Sequence, residues 1–352
     1  MNMMKRCHMA LLVMMAGCGM AAAHDFETVK DGNRFYFNVT DKQKHTVELT
    51  YNGSISEKRP CELKGNVEIP AIVIHNRISY TVTSIGDKAF RGADQLNAVV
   101  LPMGIKSIGS FAFEGCVSLQ SIIFPANKVE LGQGIFFKCE SLKNITLGSE
   151  WTHIDLAMFQ WSHKLEHLFI PAKIRQIKNM KKLASLKSVD ADVNNVHFTT
   201  DRGLLYSKDA KTLYCCPRAY SGDLTVKNGT ESIAYGALLD CTDVTSLDLP
   251  ATLKKMSFRE TSHMKQLQFI RLRTLKPVVT AYSENGKALM LFQVANSNVV
   301  LNVAKESKNQ FKDKLVDEGG NYSEKHDKNA IVYTLRTSQL LSRKNLVGVK
   351  AL

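Results

Sequence analysis

Apolar residues recur every 23 positions through the middle of the chain. The segment Ser84-Ile-Gly-Asp-Lys-Ala-Phe-Arg-Gly92 returns one interval later as Ser107-Ile-Gly-Ser-Phe-Ala-Phe-Glu-Gly115. Three aligned columns contain aliphatic residues, phenylalanine and leucine: Ile85, Ile108, Leu131, Ile154 and Ile177; Phe90, Phe113, Phe136 and Phe159; Leu96, Leu119, Leu142 and Leu165. A fixed period of this length indicates stacked repeats, in which each unit buries its apolar face against its neighbours.

The second half of each unit has the alternation of a β-strand. In Leu119-Gln-Ser-Ile-Ile-Phe124, Ile122 and Phe124 belong to columns, while Ser121 and Ile123 lie between them. Successive side chains of a strand point to opposite faces, so one pair faces the core and the other faces outward. We therefore expect one strand per unit, paired about 4.8 Å from its neighbours in a parallel sheet.

The elements Ser107-Ile-Gly-x-x-Ala-Phe-x-Gly-Cys116 and Leu119-x-x-Ile-x-Phe-Pro125 resemble the BspA-type leucine-rich repeat family of bacterial surface proteins. The resemblance extends over residues 82–277 and implies an α/β-type repeat solenoid, a right-handed superhelix with a parallel β-sheet on one face. Two units depart from the pattern, because Lys182 stands in the aromatic column and Arg273 stands where proline is expected. The likeness is specific for fold and weak for function, since one repeat scaffold serves many partners.

Three regions interrupt or flank the predicted solenoid of residues 82–277. Residues 24–81 lack the repeat but contain short alternating runs, which predicts a β-rich N-terminal cap over the first coil. A polar turn between two apolar runs predicts a hairpin inserted at about residues 190–218. Residues 278–352 are expected to form a C-terminal cap and tail, with strands at 298–303 and 330–335 and a helix at 304–315.

Residues 1–23 have the composition of an export signal peptide. Lys5 and Arg6 precede an apolar core, and Ala21-Ala22-Ala23 offers a small-residue cleavage site. Met15-Ala-Gly-Cys18 gives a second interpretation, because it resembles a lipobox that would attach lipid to Cys18. Simple cleavage is preferred and the lipoprotein is the alternative. The expected location is the cell surface, the outer membrane or the medium, with the periplasm as a further alternative, and the resemblance implies a Bacteroides-like source.

The chain of 352 residues is 44% hydrophobic and has a formal net charge of +13. Two sequence clusters hold much of the basic charge: Lys173, Arg175, Lys178, Lys181, Lys182 and Lys187, then Lys254, Lys255, Arg259, Lys265, Arg271, Arg273 and Lys276. A basic surface attracts polyanions, and an exported protein meets acidic glycans rather than nucleic acid. The clusters therefore favour either an acidic glycan partner or simply a solvated face. Membrane contact is expected only through a lipid at Cys18.

The sequence contains no motif that indicates a catalytic site, and neither a cofactor nor a metal is expected. His163-Lys-Leu-Glu-His167 matches the string of a zinc peptidase family. Its histidines would not share a helix face, however, because Leu165 is a column residue and a strand follows. Cys116, Cys139 and Cys241 occupy one column and are expected to be buried thiols, with a disulfide between the first two left open.

The outward positions of the strands form the candidate partner site. Several of these residues are apolar where polar residues would suffice, which favours either a binding surface or a face covered by the cap or the hairpin. The candidate residues are Val100, Ile123, Asn144, Thr146, His167, Phe169, Phe269 and Arg271.

Together these features favour a non-catalytic, exported leucine-rich repeat protein that binds a protein or glycan through its sheet face, as an adhesin would. The partner could come from host matrix or be an acidic glycan. Two alternatives stay open at this point. One is an envelope structural protein without a ligand, and the other is a hydrolase with its site in the cap or the insert.

Overall fold

The computed structural model of the protein describes residues 24–52 and 62–273, and beyond them six short strands between residues 281 and 351. The predicted export signal at 1–23, the candidate lipidation site Cys18 and residues 305–315 of the predicted helix lie outside the described residues. Within the described part, none of the helices has the length and apolarity needed to cross a membrane.

The N-terminal part of the described chain is a sheet that runs directly into the repeat. Its strands are β1 (Phe26–Lys30), β2 (Asn33–Asp41), β3 (Thr46–Thr50), β5 (Ile72–His75) and β6 (Ile78–Ile85). The strand β4 (Gly65–Glu68) belongs to a second sheet and pairs in parallel with Leu96–Val100 of the first coil. β1, β2 and β3 pair as antiparallel neighbours, and β3 then pairs in parallel with β6. Because β6 ends at Ile85, the first residue of the aliphatic column, the hydrogen bonding of this sheet passes into the first coil without a break.

Each repeat contains two short strands, and these strands form two sets of parallel ladders. The first set contains the predicted strands: β7 (Leu96–Val100), β9 (Ser121–Ile123), β11 (Asn144–Thr146), β13 (His167–Ile170) and β15 (Ser188–Ala191). The second set contains the aliphatic column: β8 (Ser107–Ile108), β10 (Glu130–Leu131), β12 (His153–Asp155) and β14 (Gln176–Lys178). The expectation of a parallel sheet on one face is therefore incomplete. Gly109 N–H donates to Ile85 C=O and Gly132 N–H to Ile108 C=O, each at 2.8 Å, so the column is itself a ladder.

The phenylalanine column forms the centre of the core. Phe90, Phe113, Phe136 and Phe159 are fully buried. Successive ring centroids are 4.6, 5.4 and 5.1 Å apart, and neighbouring ring planes are within 16° of parallel. Large aromatic side chains dominate the burial energy of a core, so each coil is held to the next chiefly by this stack and by the leucine column beside it.

Each regular coil has two positions with left-handed backbone. The first position is held by Lys88, Phe111, Gly134 and Gly236, and the second by Gly92, Gly115, Lys138 and Asp240. This conformation costs a residue with a Cβ atom roughly 1–2 kcal/mol, and glycine avoids that cost. The second glycine of the repeat motif is therefore explained by the turn that follows the phenylalanine.

The helical content differs from the expectation of an α/β-type solenoid. The helices in the described residues are three 3-10 helices at Leu156–Phe159, Met180–Lys182 and Phe258–Thr261. The described residues form a β-solenoid of about eight turns with parallel sheets and little helix. The reason is that backbone groups on the side away from the first ladders bind the next coil: Phe111 N–H donates to Gln133 C=O and Phe113 N–H to Ile135 C=O, each at 2.9 Å. Amides used in this way cannot close helical turns.

The region predicted as an inserted hairpin contains three antiparallel strands. These are β16 (Phe198–Asp201), β17 (Leu204–Ser207) and β18 (Thr212–Cys215). β18 then pairs in parallel with β20 (Ser232–Ile233). Along β17, Leu205 packs in the N-terminal core cluster, whereas Leu204 and Tyr206 pack in the C-terminal cluster. One strand of the hairpin thus joins two hydrophobic cores.

The last coils form a second parallel sheet. β19 (Ser221–Thr225), β21 (Asp243–Leu249), β22 (Phe269–Leu272) and β25 (Val299–Ala304) pair in parallel, and β27 (Ala330–Leu335) and β26 (Glu324–His326) follow as antiparallel strands. β23 (Ala281–Ser283), β24 (Ala288–Leu289) and β28 (Val349–Ala351) form a small antiparallel sheet. The strands expected at 298–303 and 330–335 are present as β25 and β27.

Lys181 replaces a missing backbone donor next to the hairpin. Its Nζ donates to the carbonyl oxygens of Cys216 at 2.9 Å, Ala237 at 3.0 Å and Leu239 at 2.8 Å. In a regular coil the carbonyls equivalent to Ala237 and Leu239 accept backbone N–H groups of the preceding coil, as Ile135 and Phe137 do. Here Cys216 N–H still donates to Ala237 C=O at 2.8 Å, so the lysine takes the place of the donor to Leu239. The sequence groups Lys181 with an exposed basic cluster, but the structure shows a half-buried side chain that bridges the interruption in the stack.

Replacing Phe113 with alanine should destabilise the protein by about 3–5 kcal/mol, because it opens a cavity between two stacked rings. Val117, four residues later and 40% exposed, provides the control, since Val117→Ala should change stability by less than about 0.5 kcal/mol. Urea unfolding followed by circular dichroism measures both variants. Equal losses in the two would show that the ring stack does not hold the coils together.

Lys181→Met keeps the aliphatic stem but removes the donor for three carbonyl oxygens. We expect a loss of about 1–3 kcal/mol, the typical cost of leaving buried polar groups without a partner. Lys182→Met alters the exposed neighbouring lysine and should leave the unfolding midpoint unchanged. A Lys181 variant as stable as the Lys182 variant would refute the bridging role.

Candidate functional site

Six of the eight candidate residues lie on the outer face of the first ladders: Val100, Ile123, Asn144, Thr146, His167 and Phe169, here named the outer strip. In this strip Val100 pairs with Ile123, and Ile123 pairs with Thr146. Phe169 lies one coil beyond Thr146, on β13, which is next to β11 but does not pair with it. Val100 is 38% exposed, Ile123 44% and Phe169 51%. The sequence alternation thus brings three apolar side chains from four coils onto one side of the stack.

Carboxylates lie at both ends of the outer strip. Glu68 on β4 pairs in register with Val100, and Asp190 on β15 pairs in register with Phe169. Both carboxylate side chains belong to exposed residues. His167 has a defined orientation, because its Nδ1 lies 2.5 Å from the Ser188 hydroxyl oxygen. The strip is therefore an apolar surface with acidic ends.

Phe269 and Arg271 are placed apart from the outer strip. Both lie on β22, whose sheet neighbours are β21 and β25. Phe269 is half-buried, and the Arg271 guanidinium lies 5.7 Å from its ring centroid. Arg271 also approaches Asp248 at 3.7 Å. The structure does not bring this pair into one ladder with the other six candidates.

Several basic residues of the two clusters pair with acids one coil away. Lys187 binds Glu166 at 2.9 Å and Lys254 binds Glu231 at 2.5 Å. Lys173 and Glu150 make a similar pair, as do Arg273 and Asp248. The hydrogen bond from Lys254, followed by that from Lys211, lowers the pKa of Glu231. Much of the positive charge is thus used between neighbouring coils and is less available to a polyanion.

The residues of the zinc-peptidase string have separate partners. His167 lies in β13 and contacts Ser188, whereas Glu166 binds Lys187. The His163 ring lies 6.2 Å from that of Trp161. Their placement at a turn and a strand agrees with the expectation that they do not share a helix face.

The cysteine column is buried, as expected, and its thiols contact the preceding coil. Cys116 Sγ donates to Phe90 C=O at 3.1 Å and Cys139 Sγ to Phe113 C=O at 3.0 Å. A thiol that donates a hydrogen bond is reduced, so these contacts favour packing over a bridge. Near the hairpin, the Cys216 thiol and then the Lys181 ammonium lower the pKa of Cys241, while burial raises that of Cys215 to about 11.

Sequence reasoning missed the role of Lys181, although a signal exists. Lys182 stands where the aromatic column requires a ring, and the unit is two residues short before Val189. A polar residue in an apolar column next to a length change indicates a local rearrangement of the stack. No such signal separates Phe269 and Arg271 from the other six candidates, since they occupy the same two outward positions of their repeat as His167 and Phe169.

Residues 70–181 match the family model described as the BspA type leucine rich repeat region, in six copies. A comparison with curated proteins gives no match.

Among solved structures, the chain is similar to the pneumococcal vaccine antigen PcpA, with 15% identity, a TM-score of 0.48, and coverage of 83% of this chain and 97% of that chain. A leucine-rich cell surface protein from Faecalibacterium prausnitzii has 18% identity, a TM-score of 0.35, and coverage of 84% and 99%. The leucine-rich repeat protein of T. pallidum has 22% identity, a TM-score of 0.39, and coverage of 66% and 87%. The repeat columns and the stacked coils agree with the family match, and residues 70–181 are therefore a BspA-type leucine-rich repeat region.

Proposed function

We propose that the protein is a non-catalytic, exported binding protein of the adhesin type that holds a protein partner against the outer strip. The observation that carries the proposal is the alignment of Val100, Ile123 and Phe169 as exposed apolar side chains at one repeat position, with Thr146 between the last two. Monomeric proteins seldom expose contiguous apolar surface without a use for it. The hydrogen-bonded ladders hold these side chains in place before a partner arrives, which lowers the entropic cost of binding.

The electrostatics of the strip favour a protein over an acidic glycan. Asp190 would repel a polyanion at one end of the surface and attract an apolar patch flanked by Lys or Arg on a partner, whereas Glu68 at the other end is paired with Lys30 at 3.7 Å. The basic clusters, which suggested a glycan, are partly neutralised by pairs between coils. A protein segment from host matrix therefore fits the surface better than an acidic glycan.

The dimensions of the strip suit a specific interface. The four paired strands β4, β7, β9 and β11, spaced about 4.8 Å apart, span roughly 14 Å, and the paired strands β13 and β15 extend the surface beyond them. An interface of standard size buries about 800 Å² on each partner. A partner that covers the strip and its polar neighbours Asn144 and His167 would reach this size.

The proposal includes the assembly of the whole chain. Residues 24–81 act as the N-terminal cap of a right-handed superhelix over 82–277, with the insert at about 190–218, and residues 278–352 close the other end. What supports the caps is the direct passage of β6 into the coils and the antiparallel strands β26 and β27 after β25. Residues 1–23 direct export to the cell surface or medium, with lipid attachment at Cys18 as the alternative.

The test is an array of host-matrix proteins and acidic glycans probed with the mature chain. We expect binding to a protein, weakened at least about 10-fold by Ile123→Ala combined with Phe169→Ala, since hot-spot side chains dominate interface energy. Val196→Ala, at a residue 71% exposed outside the strip, is the matched control and should bind normally. Phe269→Ala tests separately whether β22 contributes.

A different result would move the site. Binding that survives Ile123→Ala with Phe169→Ala, but is lost on Lys178→Glu with Lys182→Glu, would assign recognition to the basic cluster. These two lysines are exposed, so their replacement leaves the Lys181 bridge intact.

A further inference from the structure

The second set of ladders is interrupted between two adjacent coils. β8 pairs with β10, and β12 pairs with β14, but β10 and β12 do not pair. Glu130 N–H donates to Lys106 C=O and Gly132 N–H to Ile108 C=O, each at 2.8 Å. The same register one coil later would join His153 N–H to Val129 C=O and Asp155 N–H to Leu131 C=O. Neither bond forms within the described part of the chain.

Trp151 accounts for the separation of these coils. Its position in the repeat is held by Ile105 and Ile174 in other coils, and all three side chains are buried. The indole Nε1 donates to Asn127 C=O at 2.8 Å, and the ring lies 4.9 Å from that of Phe124. A side chain larger than isoleucine, anchored at both ends of its ring, acts as a wedge that keeps the two strands from closing.

A cleft of about 570 Å³ lies between the separated strands. Leu131 and Gly132 line it on the β10 side, and Ile154, Trp151 and Met158 line it on the other side. Its volume is in the range of about 300–1,000 Å³ typical of ligand sites. The cleft therefore combines an apolar interior with main-chain donors and acceptors on two facing strand edges.

We propose that this cleft binds an extended peptide segment of a partner protein, which enters as an added strand between β10 and β12. The donors of β12 and the acceptors of β10 repeat at strand spacing, and a peptide backbone is the ligand that offers complementary groups at the same spacing. Successive side chains of the added strand would point alternately into the cleft and to solvent. One aliphatic residue fits between Leu131 and Ile154, and the residues before and after it point to solvent.

This site is separate from the outer strip, because it lies on the second set of ladders and uses the backbone rather than exposed side chains. It goes beyond the proposed function and does not depend on it. Loss of binding at one site with retention at the other distinguishes the two proposals.

The first experiment measures amide hydrogen exchange of the full chain. We expect the amides of His153 and Asp155 to exchange at least about 100-fold faster than those of Gly109 and Gly132, which are bonded in the ladder. Equal protection of the four amides in the protein alone would show that the ladder is closed or already filled by the chain itself. That result overturns the proposal even if every variant fails to fold.

The second experiment uses a peptide probe with the chain's own sequence 104–110, Gly-Ile-Lys-Ser-Ile-Gly-Ser, acetylated and amidated. This segment already pairs with β6 as part of a coil. We expect saturable binding by calorimetry and slower exchange of His153 and Asp155. A peptide N-methylated at the nitrogen equivalent to Gly109 should bind at least about 10-fold more weakly, because it lacks one ladder donor. Equal binding of the N-methylated or a scrambled peptide would refute strand addition.

The matched variant is Trp151→Ile, which introduces the residue found at this repeat position in two other coils, as Ile105 and Ile174. We expect the cleft to close, so that the amides of His153 and Asp155 become protected and the peptide no longer binds. Ile123→Ala, in the outer strip, should leave peptide binding unchanged. Peptide binding of normal strength in a folded Trp151→Ile protein would contradict the proposed site.

Discussion

The structure depends on hydrogen bonds that run from coil to coil rather than within a coil. Gly132 N–H binds Ile108 C=O, and Phe113 N–H binds Ile135 C=O, so backbone groups on different sides of a coil are satisfied by its neighbours. Buried amides without partners are costly. Each unit therefore requires adjacent units at a fixed register, and that requirement places like residues in columns. The stacked rings of Phe90, Phe113 and Phe136 result from this register and also reinforce it.

At two places the backbone hydrogen bonds between adjacent coils depart from the regular register. Beside the hairpin the backbone donor to Leu239 C=O is missing, and the ammonium group of Lys181 donates to this carbonyl and to those of Cys216 and Ala237. At Trp151 the donors are present but the coils are held apart, and a cleft remains. The first departure is repaired by a side chain of this protein. The second leaves groups that a partner's backbone could satisfy.

The sequence predicted the parts that follow from periodicity. The leucine and phenylalanine columns fixed the core, and the alternation around Ile122 fixed which side chains of β9 face outward. The second ladder was not predicted, because a two-residue strand such as Ser107–Ile108 is too short to show an alternating pattern. The low helix content was not predicted, because amides that bond to the next coil leave no trace in local composition.

The candidate site was predicted only in part, for a similar reason. Val100, Ile123 and Phe169 share one face because they share one repeat position, which can be read from the sequence. Arg271 occupies the same position, and Phe269 the other outward position of its repeat, but both lie on another sheet, since the hairpin intervenes. The pairing of Lys187 with Glu166 also depends on the spacing between coils, which becomes clear only once the stacking register is known.

The strand β17 has a mechanical consequence. Leu205 packs in one core, and Leu204 and Tyr206 pack in the other, so a few side chains of a single strand join two stacks. A repeat array normally unfolds one unit at a time under a pulling force, because each unit contacts only its neighbours. Here, unfolding of either stack removes the packing contacts on one face of β17 and weakens the contacts that β17 makes with the other stack. Tension applied at one end of the molecule would therefore meet its decisive resistance at this strand, and the two halves would yield together or not at all.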